Sequence, residues 1–203
     1  MIAIIDYGVG NLFSLRSSLA MIGAEAVVTG DAEAIRSADR LLLPGVGAFE
    51  DARRKLAQSG LDALICSEAA RGKPVMGICL GMQMLFDRSF EYGEHEGLGL
   101  IGGSVVPMAD ELPAGLKVPH IGWNALNVKR AEHPLMRVVK PGDCVYFVHS
   151  YFAAGCDEAI LATAEYGVDL TAAVARENVM GCQFHPEKSG EVGLNILRAF
   201  CEG

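Results

Sequence analysis

No apolar run in this 203-residue chain approaches the roughly 20 residues that a membrane-spanning helix needs. The amino terminus, Met1-Ile2-Ala3-Ile4-Ile5, has no positive leader, and Asp6 cuts it short. That pattern predicts a strand rather than a secretory signal, and a cytoplasmic protein with no membrane contact. Basic residues are few, 17 against 25 acidic for a formal net charge of −8, and no cluster of lysines or arginines makes a basic patch. An acidic surface repels phosphate backbones, which argues against a nucleic-acid partner. No two of the cysteines (Cys66, Cys79, Cys144, Cys156, Cys182 and Cys201) have the spacing of a zinc knuckle. A chain of this length without an export signal has no need of disulfide staples, so all are expected to be reduced and most to be small core residues. A dinucleotide fingerprint begins at Gly8-Val9-Gly10 but fails at its third glycine, where Phe13 stands. No repeat, low-complexity tract or linker interrupts the chain. One domain over residues 1–203 is expected, with no metal and no cofactor.

What the chain does have is core: 51% of its residues are hydrophobic. Short apolar runs alternate with helical stretches in the first half. Strands are predicted at Ile2 to Ile5, Ala26 to Val28, Leu41 to Leu43 and Val75 to Ile78. Helices are predicted from Leu12 to Ile22 and from Ala52 to Ala70, the second broken near Gly60. Continuous apolar strands separated by helices indicate a mostly parallel sheet covered on both faces, an α/β fold. After Leu100 helical periodicity fades. Strands are predicted at 104–108, 121–128, 145–151, 159–166, 172–176 and 180–184, adding antiparallel or mixed pairing to the same core. A last helix begins at Ser189, read as its N-cap, and buries Val192, Ile196, Leu197 and Phe200.

The segment Gly77-Ile78-Cys79-Leu80-Gly81-Met82-Gln83 carries the chemistry. A cysteine between two glycines, at the junction of an apolar strand and a helix, has the form of a nucleophile elbow. Unplaced, a cysteine is better read as buried packing. At this junction, backbone N–H groups at the helix start would favour thiolate, and that of Leu80 could stabilise an oxyanion. Leu43-Pro44-Gly45-Val46-Gly47 is a second glycine-rich turn after a strand. Alone it is a tight connection; beside an elbow it is a candidate second wall of the oxyanion hole.

Five histidines compete to be the base. His95 falls in an acidic stretch that reads as a solvated loop, and His133 precedes Pro134 after a charged turn. His120 and His149 lie in strand-like segments, where structural histidines are usual. His185 ends an apolar strand and has Glu187 two positions on, a carboxylate to fix its tautomer. Thiol, base and orienting acid together equip an acyl-transfer enzyme.

Gly77 to Gln83 together with His185-Pro186-Glu187 resembles the class I, triad-type glutamine amidotransferases, which have a flavodoxin-like fold. Asp6 to Leu12, Pro44 to Gly47, His120-Ile121-Gly122-Trp123-Asn124 and Tyr146 to Tyr151 narrow the resemblance. They are similar to one branch of that family, the glutaminase subunits of imidazole glycerol phosphate synthases, in histidine biosynthesis. The resemblance runs from Asp6 to Lys188. It implies L-glutamine as substrate and Cys79, His185 and Glu187 as the triad. It implies Leu80, Val46 and Gly47 as oxyanion donors, and Gly47, Gln83, His149, Ser150 and Tyr151 around the substrate. Asn11, Trp123, Tyr146 and Lys188 would lie near a partner or the ammonia route. That partner would be a (β/α)₈-barrel cyclase on a separate chain, giving a heterodimer.

Three alternatives stay open on the sequence. A glutaminase serving another synthase, such as one making anthranilate or pyridoxal phosphate, lacks the Trp123 and amino-terminal motifs. A stand-alone cysteine peptidase or γ-glutamyl hydrolase would be fully active without a partner. A silent binding module would have no reason to keep cysteine, histidine and glutamate together.

Overall fold

In the computed structural model, which describes residues 1–203, the first half of the chain alternates strand and helix. It runs β1 (Ile2–Ile5), α1 (Leu12–Met21), β2 (Ala26–Thr29), α2 (Ala32–Ser37), β3 (Arg40–Gly45), α3 (Phe49–Gln58), α4 (Leu61–Ala70), β4 (Val75–Cys79) and the single turn α5 (Leu80–Gln83). Asn11 starts α1 by accepting the Ser14 N–H at 3.4 Å, and Asp31 starts α2 by accepting that of Ala34 at 2.9 Å. The break foreseen near Gly60 falls at that residue, in the left-handed conformation with φ of 72°.

The second half is strand-rich: β5 (Phe86–Ser89), β6 (His95–Glu96), β7 (Ile101–Pro107), β8 (His120–Ala125), β9 (Asn127–Val128), β10 (Cys144–His149), β11 (Tyr151–Ala154), β12 (Ile160–Glu165), β13 (Asp169–Arg176) and β14 (Val179–Cys182), closed by α6 (Gly190–Glu202). No helix is long and apolar enough to cross a membrane.

The main sheet has the order β2-β1-β3-β4-β14-β13-β12-β9. The first five of these pair in parallel and the last three antiparallel. Because successive side chains in a strand point to opposite faces, each central strand serves two cores. Ala3, Ile5, Leu41, Leu43 and Val75 pack with Ile35, Leu56 and Ile65 from α2, α3 and α4. Ile2, Ile4, Leu42, Met76 and Ile78 pack with Leu15 and Leu19 of α1 and with Ile196, Leu197 and Phe200 of α6. The α/β fold with helices on both faces of a mixed sheet is as expected.

Several details differ from the sequence reading, beginning with α2, β5 and β6, which it did not foresee. Not all later strands join the main sheet: β10 pairs with β8 alone, and β11, β7, β5 and β6 form a small separate sheet. The run 121–128 divides into β8 and β9, and 145–151 divides at Ser150 into β10 and β11, which enter different sheets. Ser189 does not cap α6 with its side chain; its hydroxyl donates to the His185 carbonyl at 2.6 Å and accepts the Tyr146 N–H at 3.0 Å. His95 is not in a solvated loop but pairs with Ser89 in β6, half-buried, its ring centroid 6.4 Å from that of Phe49.

Candidate active site

β4 delivers Cys79 to the carboxyl edge of the sheet, where α/β folds place their ligands. Cys79 has φ of 55° and ψ of −115°, a left-handed value that a side chain adopts only under local compulsion. The compulsion comes from glycine packing. A Cβ on Gly81 would lie 1.8 Å from the Leu43 carbonyl oxygen, and one on Gly77 would lie 2.5 Å from that of Gly81. A Cβ on Gly45 would lie 2.6 Å from the Gly81 nitrogen. Backbones that close leave no room for side chains, so the turn after Cys79 is clamped between β3 and β4. The helix expected after the elbow is a single turn, which makes local N–H groups, rather than a long helix dipole, the available electrostatics.

β14 runs parallel to β4, with Cys182 opposite Ile78, and the chain beyond it carries His185. The His185 N–H donates to the Tyr146 carbonyl at 3.0 Å. Its Nδ1 lies 2.8 Å from Glu187 Oε1, with both side chains only 4% exposed. Burial acts to lower the His185 pKa, but hydrogen bonds to Cys79 and Glu187, and the charges of both, outweigh it and raise the value to about 9. The imidazole therefore has a carboxylate on one side, a thiol on the other, and a preference for the protonated form.

Cys79 and His185 open into a cavity of about 320 Å³ that is also lined by Val46, Gly47, Leu80, Gln83, His149, Ser150 and Tyr151. All the substrate and oxyanion candidates thus meet in one place. The partner-side candidates form a second group. The Trp123 and Tyr146 rings meet edge to face at 6.1 Å, and Lys188 Nζ sits 5.7 Å above the Tyr146 ring. Asn11 lies near Glu187, Gly45 and Val46 in a small hollow behind the histidine. A larger, open hollow of about 730 Å³ adjoins the β13–β14 turn and includes Arg130, Arg176 and Glu177. It holds none of the candidate residues.

Several residues of the site escape sequence reading, among them Gln183, Glu91 and Tyr92. Gln183, fully buried, directs its amide Nε2 toward Cys79 Sγ at 3.8 Å and accepts from Gln83 Nε2 at 2.9 Å. A glutamine between Cys182 and Phe184 in an apolar run was the available signal, because a buried amide must find partners. Glu91 and Tyr92 also line the cavity, although they belong to the acidic stretch read as solvated. Glu91 Oε2 accepts the Phe49 N–H at 2.6 Å; burial raises its pKa, against that bond and the His95 charge.

The chain matches the family model described as "Glutamine amidotransferase class-I" over residues 3–202. It is 49% identical over 203 residues to imidazole glycerol phosphate synthase subunit HisH of Caldanaerobacter subterraneus subsp. tengcongensis, spanning 100% of this chain and 98% of that one. It is 51% identical over 203 residues to the protein of the same name from Bacillus licheniformis, spanning 98% and 95%. Among solved structures, a glutamine amidotransferase superposes with a TM-score of 0.76 at 19% identity, covering 98% of this chain and 99% of that one. PurLQS from Thermotoga maritima gives 0.73 at 21%, covering 98% and 96%. At those identities the structural likeness speaks to fold alone.

Proposed function

The chain belongs to the class I glutamine amidotransferases, and we propose that it is the glutaminase subunit of an imidazole glycerol phosphate synthase, the enzyme of which its relatives are named as a subunit. The observation that carries the chemistry is a cysteine held at φ of 55° on a strand-to-helix turn, beside a histidine 2.8 Å from a buried glutamate. Cys79 Sγ attacks the side-chain amide carbon of glutamine. His185 gives its proton to the leaving nitrogen, so that ammonia departs and a γ-glutamyl thioester remains. His185 then takes a proton from water, the hydroxide attacks the thioester, and glutamate leaves as the thiol is restored. Glu187 holds the imidazole in orientation and balances the imidazolium. Leu80 and the Val46–Gly47 loop supply N–H groups to the oxyanion. Glu91 offers a carboxylate to the substrate's ammonium, and Gln83 with the Ser150–Tyr151 backbone offers neutral polar groups.

Ammonia in neutral bulk water is mostly protonated and no longer a nucleophile, so it is passed directly to a second site. We place that site in a (β/α)₈-barrel cyclase docked over Trp123, Tyr146, Lys188 and Asn11. Exposed apolar side chains support this face as an interface: Trp123 and Ile121 are each 58% exposed and Phe13 is 82% exposed. Glutaminase turnover measured with and without the cyclase, loaded with its phosphoribulosyl substrate, tests the reading. Strong stimulation by the loaded partner is expected. Full activity of the isolated chain would instead indicate a stand-alone hydrolase.

A further inference from the structure

Beneath the cavity, two histidines that the triad does not use form a hydrogen-bonded chain. His149 Nδ1 lies 2.9 Å from the Tyr151 carbonyl oxygen, which can only accept. That nitrogen therefore carries the hydrogen, and Nε2 of a neutral His149 is left as an acceptor. His120 Nδ1 lies 3.0 Å from it and must be the donor. His120 Nε2 in turn accepts from Asn124 Nδ2 at 3.4 Å, and the same amide donates to the Glu165 carbonyl at 2.8 Å. Every proton in the chain is thereby assigned. The His120 ring is 3% exposed and stacks between Phe147 at 4.8 Å and Tyr166 at 4.3 Å, a slot that fixes its plane.

We propose that His120 is a positioning residue for the glutaminase reaction: by donating Nδ1–H to His149 Nε2 it locks His149 as the Nδ1–H tautomer, whose hydrogen holds the Tyr151 carbonyl at the wall of the glutamine cavity. Gln83 Nε2 donates to the same carbonyl at 3.1 Å, so two residues of the cavity hang from one oxygen. The lock also keeps His149 uncharged beside His185. Burial, assisted by the charges of His120 and His185 and opposed by the Tyr151 bond, lowers the His149 pKa to about 4. The imidazolium of the reaction is then confined to His185, which a cationic neighbour would discourage.

The inference rests on the glutaminase reading, and its test separates the two. In the wild-type chain, nitrogen-15 NMR should find His149 protonated at Nδ1 and bare at Nε2; the opposite tautomer or a mixture overturns the proposal. His120→Asn puts an amide where Nδ1 was, whereas His120→Gln puts it where Nε2 was and His120→Phe only fills the slot. In complex with the cyclase, His120→Asn should keep KM for glutamine within about twofold. Gln and Phe should raise it about five- to tenfold, the worth of one neutral hydrogen bond, and leave ammonium-driven synthesis unchanged. Equal behaviour of all three would make His120 a space-filler and sink the idea. Should the wild type fail to hydrolyse glutamine at all, the function is wrong while the NMR result still decides the tautomer.

Discussion

Gln183 points its amide hydrogen at Cys79 Sγ across 3.8 Å, and its carbonyl is held by Gln83. A buried donor aimed at sulfur stabilises the anionic form during attack. Gln183→Leu should therefore slow glutamine turnover about tenfold or more, the worth of a hydrogen bond to a charged group. Alkylation of Cys79 by iodoacetamide at neutral pH should slow in parallel. A variant with wild-type alkylation and turnover would make Gln183 a packing residue.

The pair of His185 and Glu187 sets a pH limit. The folded His185 pKa is raised to about 9 from 6.5, so the stabilisation it provides is complete below the unfolded value and is lost as pH rises through about 9. If His185 protonates the leaving nitrogen as proposed, the proton it gives is lost over the same range. The alkaline limb of kcat/KM for glutamine should thus fall near pH 9. Glu187→Gln should fold, move that limb downward and lower turnover, though less than loss of Cys79 does. An unchanged rate and profile would assign the orienting role to another carboxylate.

The glycines of the Pro44 to Gly47 turn separate into two kinds. Gly45 is in register with Cys79 and has no room for a Cβ, and Tyr7 Oη clamps the Pro44 carbonyl at 2.8 Å. Gly47 has φ of 90° and open space around it. Glycine flanks Val46 on both sides, but the packing fixes one side and leaves Val46–Gly47 as the adjustable part. Gly45→Ala and Gly81→Ala should fail to fold. Gly47→Ala should fold at a cost of about 1–2 kcal/mol for the left-handed backbone and lose much of the partner's stimulation. An oxyanion donor of this type is worth roughly 3 kcal/mol, or about a hundredfold in rate. Full stimulation in Gly47→Ala would show that the partner's effect does not act through this loop.

Much of this was legible from sequence because the signals were local. Gly77, Cys79 and Gly81 announce an elbow by spacing, and uninterrupted apolar runs such as Leu41 to Leu43 announce strands buried on both faces. What escaped depends on contacts distant in sequence. Gln183 looks like a lapse in an apolar strand until Gln83 and Cys79 are brought beside it. Asp87 and Arg88 disguise β5, whose middle is solvent-facing while Phe86 and Ser89 are buried. Ser189 has the composition of a cap, but its hydroxyl is taken by His185 and Tyr146, a tertiary demand that overrides helix-end preference.

The most direct test of the account is Cys79→Ala in complex with the cyclase, assayed for imidazole glycerol phosphate formation with glutamine and then with an ammonium salt at alkaline pH. If ammonia made at Cys79 serves a separate acceptor site, glutamine-dependent synthesis disappears while ammonium-dependent synthesis continues at the wild-type rate. Loss of both, or survival of the glutamine-dependent reaction, would contradict it.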